Sequence, residues 1–169
     1  MGKRSNFERN PRDFYPTPYE AVVPLVPHLP SEYSFYEPCA GDGQLITHLG
    51  KHGGLCNHAT DIEPQGMGIG TLDVFDTKFV HSDYIITNPP WSREILHPMI
   101  KHLSSIKPTW LLFDADWMHT KQSTPYMTLC SKIVSVGRIK WFGNMTGKDN
   151  CAWYLFGKET SNTNFYGRI

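Results

Sequence analysis

Ser34-Phe35-Tyr36-Glu37-Pro38-Cys39-Ala40-Gly41-Asp42-Gly43 decides how this chain folds. An apolar run ends in an acid, two glycines follow one residue apart, and Leu45, Ile46 and Leu49 then recur at helical spacing until Gly53-Gly54 stops them. The stretch reads as strand, glycine turn, helix. Gly41 and Gly43 let the backbone approach a ligand without an intervening Cβ, and the helix N-terminus behind them favours a carboxylate. A tight structural turn has the same pattern, so the meaning of the motif depends on its neighbours along the chain.

Upstream, Thr17 reads as an N-cap with Pro18 in the first turn of a short helix through Ala21, Val22, Leu25 and Val26, limited by Pro24 and Pro27. Downstream, short strands fit residues 57–62 and 84–87, a helix runs through Ile95, Leu96, Met99, Ile100 and Leu103, and residues 110–113 read as a buried strand. A helix is expected around residues 126–130. Two further strand-like stretches, 133–141 and 151–156, flank the loop 143–150. Strands alternating with helices predict an α/β fold: a single-domain, Rossmann-like, mostly parallel sheet covered on both faces, with a C-terminal antiparallel hairpin. The aromatic residues Trp141, Phe142, Trp153, Tyr154 and Phe156 are expected to pack that hairpin onto the sheet.

A chain of 169 residues with 40% apolar and 13% aromatic content supports one packed domain rather than two. We expect a basic arm at 1–12, the domain at 13–157 and a polar tail at 158–169. Lys and Arg, 16 together, balance 16 Asp and Glu, so no global field draws the protein to nucleic acid or membrane. Both ends are locally basic: Lys3, Arg4, Arg9 and Arg12 face only Glu8, and residues 132–169 hold six cations against Asp149 and Glu159. That charge suits either solubility or phosphate contact. Four dispersed cysteines without a CxxC pair fit a reducing compartment, and the sequence shows neither a signal peptide nor an 18-residue apolar run. These features predict a soluble cytoplasmic protein with no membrane partner.

Asn88-Pro89-Pro90-Trp91, directly after Tyr84-Ile85-Ile86-Thr87, carries the chemistry. Two successive prolines remove two N–H donors and fix φ, leaving backbone carbonyls free to face a cavity. The Asn88 oxygen is a second acceptor, and Trp91 supplies a flat face. Together they suit a planar ring bearing an –NH₂, whose two hydrogens these oxygens accept. Two acidic motifs precede it. Asp61-Ile62-Glu63 ends a strand, where an acid can take ribose hydroxyls, and Asp73-Val74-Phe75 places a carboxylate beside apolar residues. Each alone also reads as a solvated turn.

In this order, the glycine turn, the two acids and the Asn-Pro-Pro-Trp motif resemble the S-adenosylmethionine-dependent amino-methyltransferases, specifically the DNA adenine-N6 type. Asp13-Phe14-Tyr15-Pro16-Thr17-Pro18 and Ala152-Trp153-Tyr154-Leu155-Phe156 extend the resemblance over residues 13–156. The resemblance implies that Phe14, Tyr15, Thr17, Glu37, Cys39, Ala40, Gly41 and Gly43 surround the methionyl end of S-adenosyl-L-methionine. It gives Asp61 and Ile62 the ribose and one adenine face, and Asp73 with Val74 the adenine amine and ring. Asn88, Pro89, Pro90 and Trp91 take the target, Asn88 bordering the cofactor as well. The stretch between Asp61 and Asp73 is short and glycine-rich, so the usual strand there is expected to be missing.

The implied partner is double-stranded DNA with the target base flipped out. Its candidate contacts are Arg93, Arg138, Lys140, Lys148 in the 143–150 loop, and the basic arm. A homodimer is compatible with this reading. No segment is long enough for a target-recognition region, which implies short or loose sequence specificity. Three alternatives stay open: methylation of RNA adenine or of a protein glutamine amide, N4-cytosine methylation, and a non-catalytic cofactor-binding subunit of a complex. His48 and His52, with Cys56 and His58 nearby, have zinc-like spacing, but the dipole at a helix C-terminus favours histidines without metal, so none is expected. Asp114, Asp116 and His119 lack a matching serine or cysteine motif and are expected as a solvated lining of the same cleft.

Overall fold

The computed structural model describes residues 14–141, 147 and 149–169. Among these residues, eight strands form one sheet: β1 Tyr33–Glu37, β2 Gly54–Asp61, β3 Gly70–Thr71, β4 Tyr84–Thr87, β5 Thr109–Asp114, β6 Cys130–Arg138, β7 Asn150–Phe156 and β8 Asn164–Tyr166. Their order is β3-β2-β1-β4-β5-β7-β6-β8. All neighbours pair in parallel except β7, which runs antiparallel to both β5 and β6. Helices α1 Tyr19–Val22, α2 Gln44–Gly50, α3 Arg93–Ile106 and α4 Thr124–Met127 flank the sheet.

Period-2 alternation separates two cores. From β5, Trp110 and Leu112 join Phe35, Ile86 and Trp153 under α1 and α2, with Ala21, Val22, Leu45 and Leu49. Leu111 and Phe113 join Ile85, Tyr154 and Phe156 under α3, with Leu96, Met99, Ile100 and Leu103. Strands buried on both faces read as continuous apolar runs, which is why residues 110–113 were legible as a strand. The expected fold class is observed.

Four local expectations change. The N-cap of α1 is Pro18, in extended conformation, with no side-chain cap bond. Thr17 is instead buried, and its hydroxyl accepts a hydrogen bond from Asn88. Cys130, expected at a helix end, opens β6, because α4 stops at Met127 and the backbone pairs with Phe156. The strand expected to be missing between Asp61 and Asp73 is present as β3, two residues long, pairing Thr60 with Gly70 and Asp61 with Thr71. Within the polar tail, residues 164–166 form β8 and close the sheet beside β6.

Candidate active site

The first turn is built by two glycines that no other residue replaces cheaply. Gly41 has φ +53° and Gly43 φ +82°, both left-handed. A Cβ on Gly41 would stand 2.6 Å from Phe14 Cε2. The Gly41 N–H donates to Asp61 Oδ2 at 2.8 Å, and its carbonyl accepts from Gln65 and Gly66. This one residue therefore joins the ends of β1 and β2 to the loop that follows β2. Asp61 Oδ1 takes the Glu63 N–H at 2.8 Å, which fixes the carboxylate. Asp73 is held similarly, its Oδ1 accepting from Phe75 N at 3.0 Å as the cap of a single 3₁₀ turn, Val74–Asp76.

These ends enclose a cavity of about 700 Å³. Of the residues expected to hold a cofactor, Phe14, Tyr15, Thr17, Glu37, Cys39, Ala40, Gly41, Asp61, Ile62, Asp73, Val74 and Asn88 all line it. Gly43 does not; it shapes the turn as the N-cap of α2. Sequence reasoning did not assign Phe75, Gln65, Ile95 or Met99 to the wall. Ile95 and Met99, at i and i+4 on α3, were read only as marking that helix. Ile62 and Phe75, apolar yet 55% and 41% exposed, border the cavity beside Asp61 and Asp73.

Glu37, at the end of β1, is 2% exposed, and its Oε2 has no hydrogen-bond partner among the described residues. Burial, and after it the charges of Asp61 and Asp42, pushes its carboxyl well above the usual carboxylate range. Burial, with Asp61 and Glu37, also raises the Cys39 thiol, which keeps it protonated and poorly nucleophilic.

At the end of β4, Asn88 and Pro90 line the cavity, whereas Pro89 is buried and Trp91 stands half-buried outside the wall. The Asn88 carboxamide is bonded at both ends: Nδ2 donates to the Tyr15 carbonyl and to Thr17 Oγ1, both at 3.2 Å, while Oδ1 accepts from Trp91 Nε1 at 3.3 Å. Trp91 meets Trp141 edge-on at 5.7 Å between ring centroids, and Trp141 meets Tyr15 at 6.0 Å. Trp141 packs, as expected, against the core that holds Val134, Ile139 and Trp153 of the hairpin, and in addition joins Trp91 and Tyr15 in an aromatic cluster. That contact joins residues fifty positions apart, and no local pattern signals it.

The other expected positions scatter. Arg93 bonds Gln122 through its guanidinium, and Arg138 and Lys140 are exposed near the end of β6. Lys148 and the 1–12 arm lie outside the described residues. Asp114 caps the 3₁₀ helix Ala115–His119 by accepting from Asp116 N, and Asp114, Asp116 and His119 are not in the cavity wall as expected. Among the described residues, no group of three His, Cys, Asp or Glu is placed to hold a metal, and no helix is long and apolar enough to cross a membrane.

No protein-family model and no curated protein matches the sequence. Solved structures do match. A candidate RNA methyltransferase of Pyrococcus horikoshii superposes with a TM-score of 0.65 at 14% identity, over 94% of each chain. The fold is that of the methyltransferases. The methyltransferase subunit of a type I restriction-modification system from Streptococcus thermophilus follows at TM-score 0.59 and 9% identity, covering 90% of this chain and 47% of that one. A dimethyladenosine transferase of Plasmodium falciparum gives 0.54 at 17%, over 86% and 63%. This chain thus spans nearly the whole of one methyltransferase-fold neighbour and under two thirds of the other two.

Proposed function

We propose that the chain is an S-adenosylmethionine-dependent methyltransferase that modifies the exocyclic N6 amine of adenine in DNA, with short or loose sequence specificity. The observation that carries this reading is the position of Asn88, an oriented carboxamide on the wall of the same cavity that Glu37, Asp61 and Asp73 line.

The wall fits the cofactor. Buried Glu37 Oε2 lacks a donor, which the methionyl ammonium supplies, and the Gly41–Phe14 approach leaves no room for a side chain where backbone must meet ligand. Asp61 suits the ribose hydroxyls. Asp73 suits the adenine amine, with exposed Ile62 and Phe75 for the ring faces. The bound sulfonium supplies a methyl group already activated for displacement. The protein's part is therefore alignment and exclusion of water rather than base catalysis. Asn88 Oδ1 accepts one hydrogen of the target amine and a backbone carbonyl of the Pro89-Pro90 pair the other, which holds its nitrogen in line. As that nitrogen becomes cationic these acceptors bind it more strongly than the neutral amine, which lowers the barrier. The extra proton leaves to water after transfer.

Trp91 and Trp141 offer ring faces that offset part of the cost of extruding a base from the duplex. Arg138 and Lys140 serve as phosphate contacts, with Lys148, Arg93 and the basic arm as further ones. Supported by neighbours named as a candidate RNA methyltransferase and as a dimethyladenosine transferase, methylation of adenine in RNA is the second reading. The test is incubation with labelled S-adenosylmethionine and either unmethylated duplex DNA or structured RNA, followed by nucleoside analysis. Label in N6-methyldeoxyadenosine is expected. Label confined to RNA adenosine selects the second reading, and no label in either nucleic acid rejects both.

A further inference from the structure

The Asn88 carboxamide has one partner at each end that works in a single direction. The Tyr15 carbonyl only accepts, so the atom beside it is the amide nitrogen; the Trp91 indole N–H only donates, so the atom beside it is the amide oxygen. The oxygen that the proposed reaction needs is thus already bonded to Trp91. That bond places the oxygen close to the plane of the indole. A base whose amine donates to the same oxygen carries it close to its own plane as well. Two parallel stacked rings lie about 3.5 Å apart and have no in-plane atom in common. Trp91 therefore either keeps the bond to Asn88 or stacks on the target base, but not both.

We infer that Trp91 is a gate on the acceptor: its indole N–H bonds Asn88 Oδ1, as the structure shows, and swings away when the target base arrives, and the base's own amine then takes the vacated oxygen. The inference rests on the proposed amine-methylating function. The exchange leaves the number of hydrogen bonds on Asn88 unchanged only for a ring that brings its own N–H donor. A ring with a keto oxygen at that position breaks the bond and replaces nothing. Trp91 is half-buried, with the edge-on ring of Trp141 beside it. No covalent change accompanies the swing.

Trp91→Phe separates the gate from a plain stacking platform, because phenylalanine keeps a flat ring and lacks the donor. Cofactor affinity, affinity for an oligonucleotide with an extrahelical target adenine, and kcat are measured separately. The gate predicts tighter oligonucleotide binding by about threefold to tenfold, the range of one neutral hydrogen bond, with cofactor affinity unmoved. A platform alone predicts weaker binding, since phenylalanine is the smaller ring, and equal or weaker binding overturns the inference. A second readout needs no variant: the protein has five tryptophans, and the Trp91 indole N–H resonance should move on adding oligonucleotide but not on adding cofactor. An unmoved resonance in an oligonucleotide-bound sample also overturns it. If Asn88→Ala transfers methyl normally, the functional reading itself fails; if that variant is dead while Trp91→Phe binds no tighter, only the gate fails.

Discussion

The two sides of the cavity are held in different ways. On the cofactor side, Gly41, Asp61 and Asp73 are fixed by bonds to backbone groups at strand ends and in the adjoining turns. On the acceptor side, Asn88 is fixed through a carbonyl and a hydroxyl more than seventy residues upstream, and Trp91 leans on Trp141, fifty residues on. Backbone-fixed groups are pre-organised once the sheet forms. Side-chain networks assembled from distant segments are instead free to rearrange when a substrate arrives, and in the proposed reaction the acceptor side is where the substrate base enters. The contrast implies that damage on one side should spare the other.

The strongest test of that separation is Asn88→Ala. Transfer should fall by about 10² to 10³, the range for removing one oriented polar group from a reacting centre, with cofactor affinity changed only a few-fold. Initial rates and equilibrium titration of the cofactor give the two numbers, and parallel losses would erase the distinction between the sides. The mirror experiment is Gly41→Ala. A Cβ at φ +53° costs about 1–2 kcal/mol of backbone strain and also collides with Phe14, so cofactor affinity should drop at least about tenfold and the melting temperature should fall.

Glu37 sharpens the cofactor side through pH. Its folded-state carboxyl titrates above its ordinary 4.5 because burial, Asp61 and Asp42 disfavour the anion. The folded protein therefore holds a proton that the unfolded chain has already lost. Stability without cofactor should be intact below that ordinary value and decline as pH rises through the elevated range. Thermal melts across pH should show the decline in the parent and its loss in Glu37→Gln. Cofactor affinity should move the opposite way, strengthening over the same rise as Glu37 becomes the anion that an ammonium needs. A flat affinity profile would remove Glu37 from the methionyl site. The smallest effect is expected from Thr17→Val, which removes one of two acceptors on the Asn88 nitrogen. A fall in kcat of about threefold to tenfold is predicted, read from initial rates at saturating cofactor.

The same division explains what the sequence revealed. Residues 34–43, 61, 73 and 84–91 announce themselves because a strand, a turn and its cap are local: period-2 apolar runs set the strands, and positive-φ glycines and capping acids set the turns between them. The sheet-end location of the cofactor wall follows from that. Thr17 was misread as a helix cap because the local pattern of a polar residue before proline is real; what overrides it is a buried bond to Asn88. Strand β3 was missed because two residues, Gly70 and Thr71, are too few to show periodicity. Strand β8 was missed because all three of its side chains are exposed, so no apolar alternation marks it. Trp141 was legible as hairpin packing, and so it packs; its further contact with Trp91 depends on the fold.

The account stands or falls on where the methyl donor sits relative to Asn88. A crystal of the protein grown with S-adenosylmethionine answers that directly. The account predicts the ammonium against Glu37, the ribose against Asp61 and the sulfonium methyl directed at the Asn88 carboxamide. A cofactor bound elsewhere, or with its methyl turned away from Asn88, would contradict it.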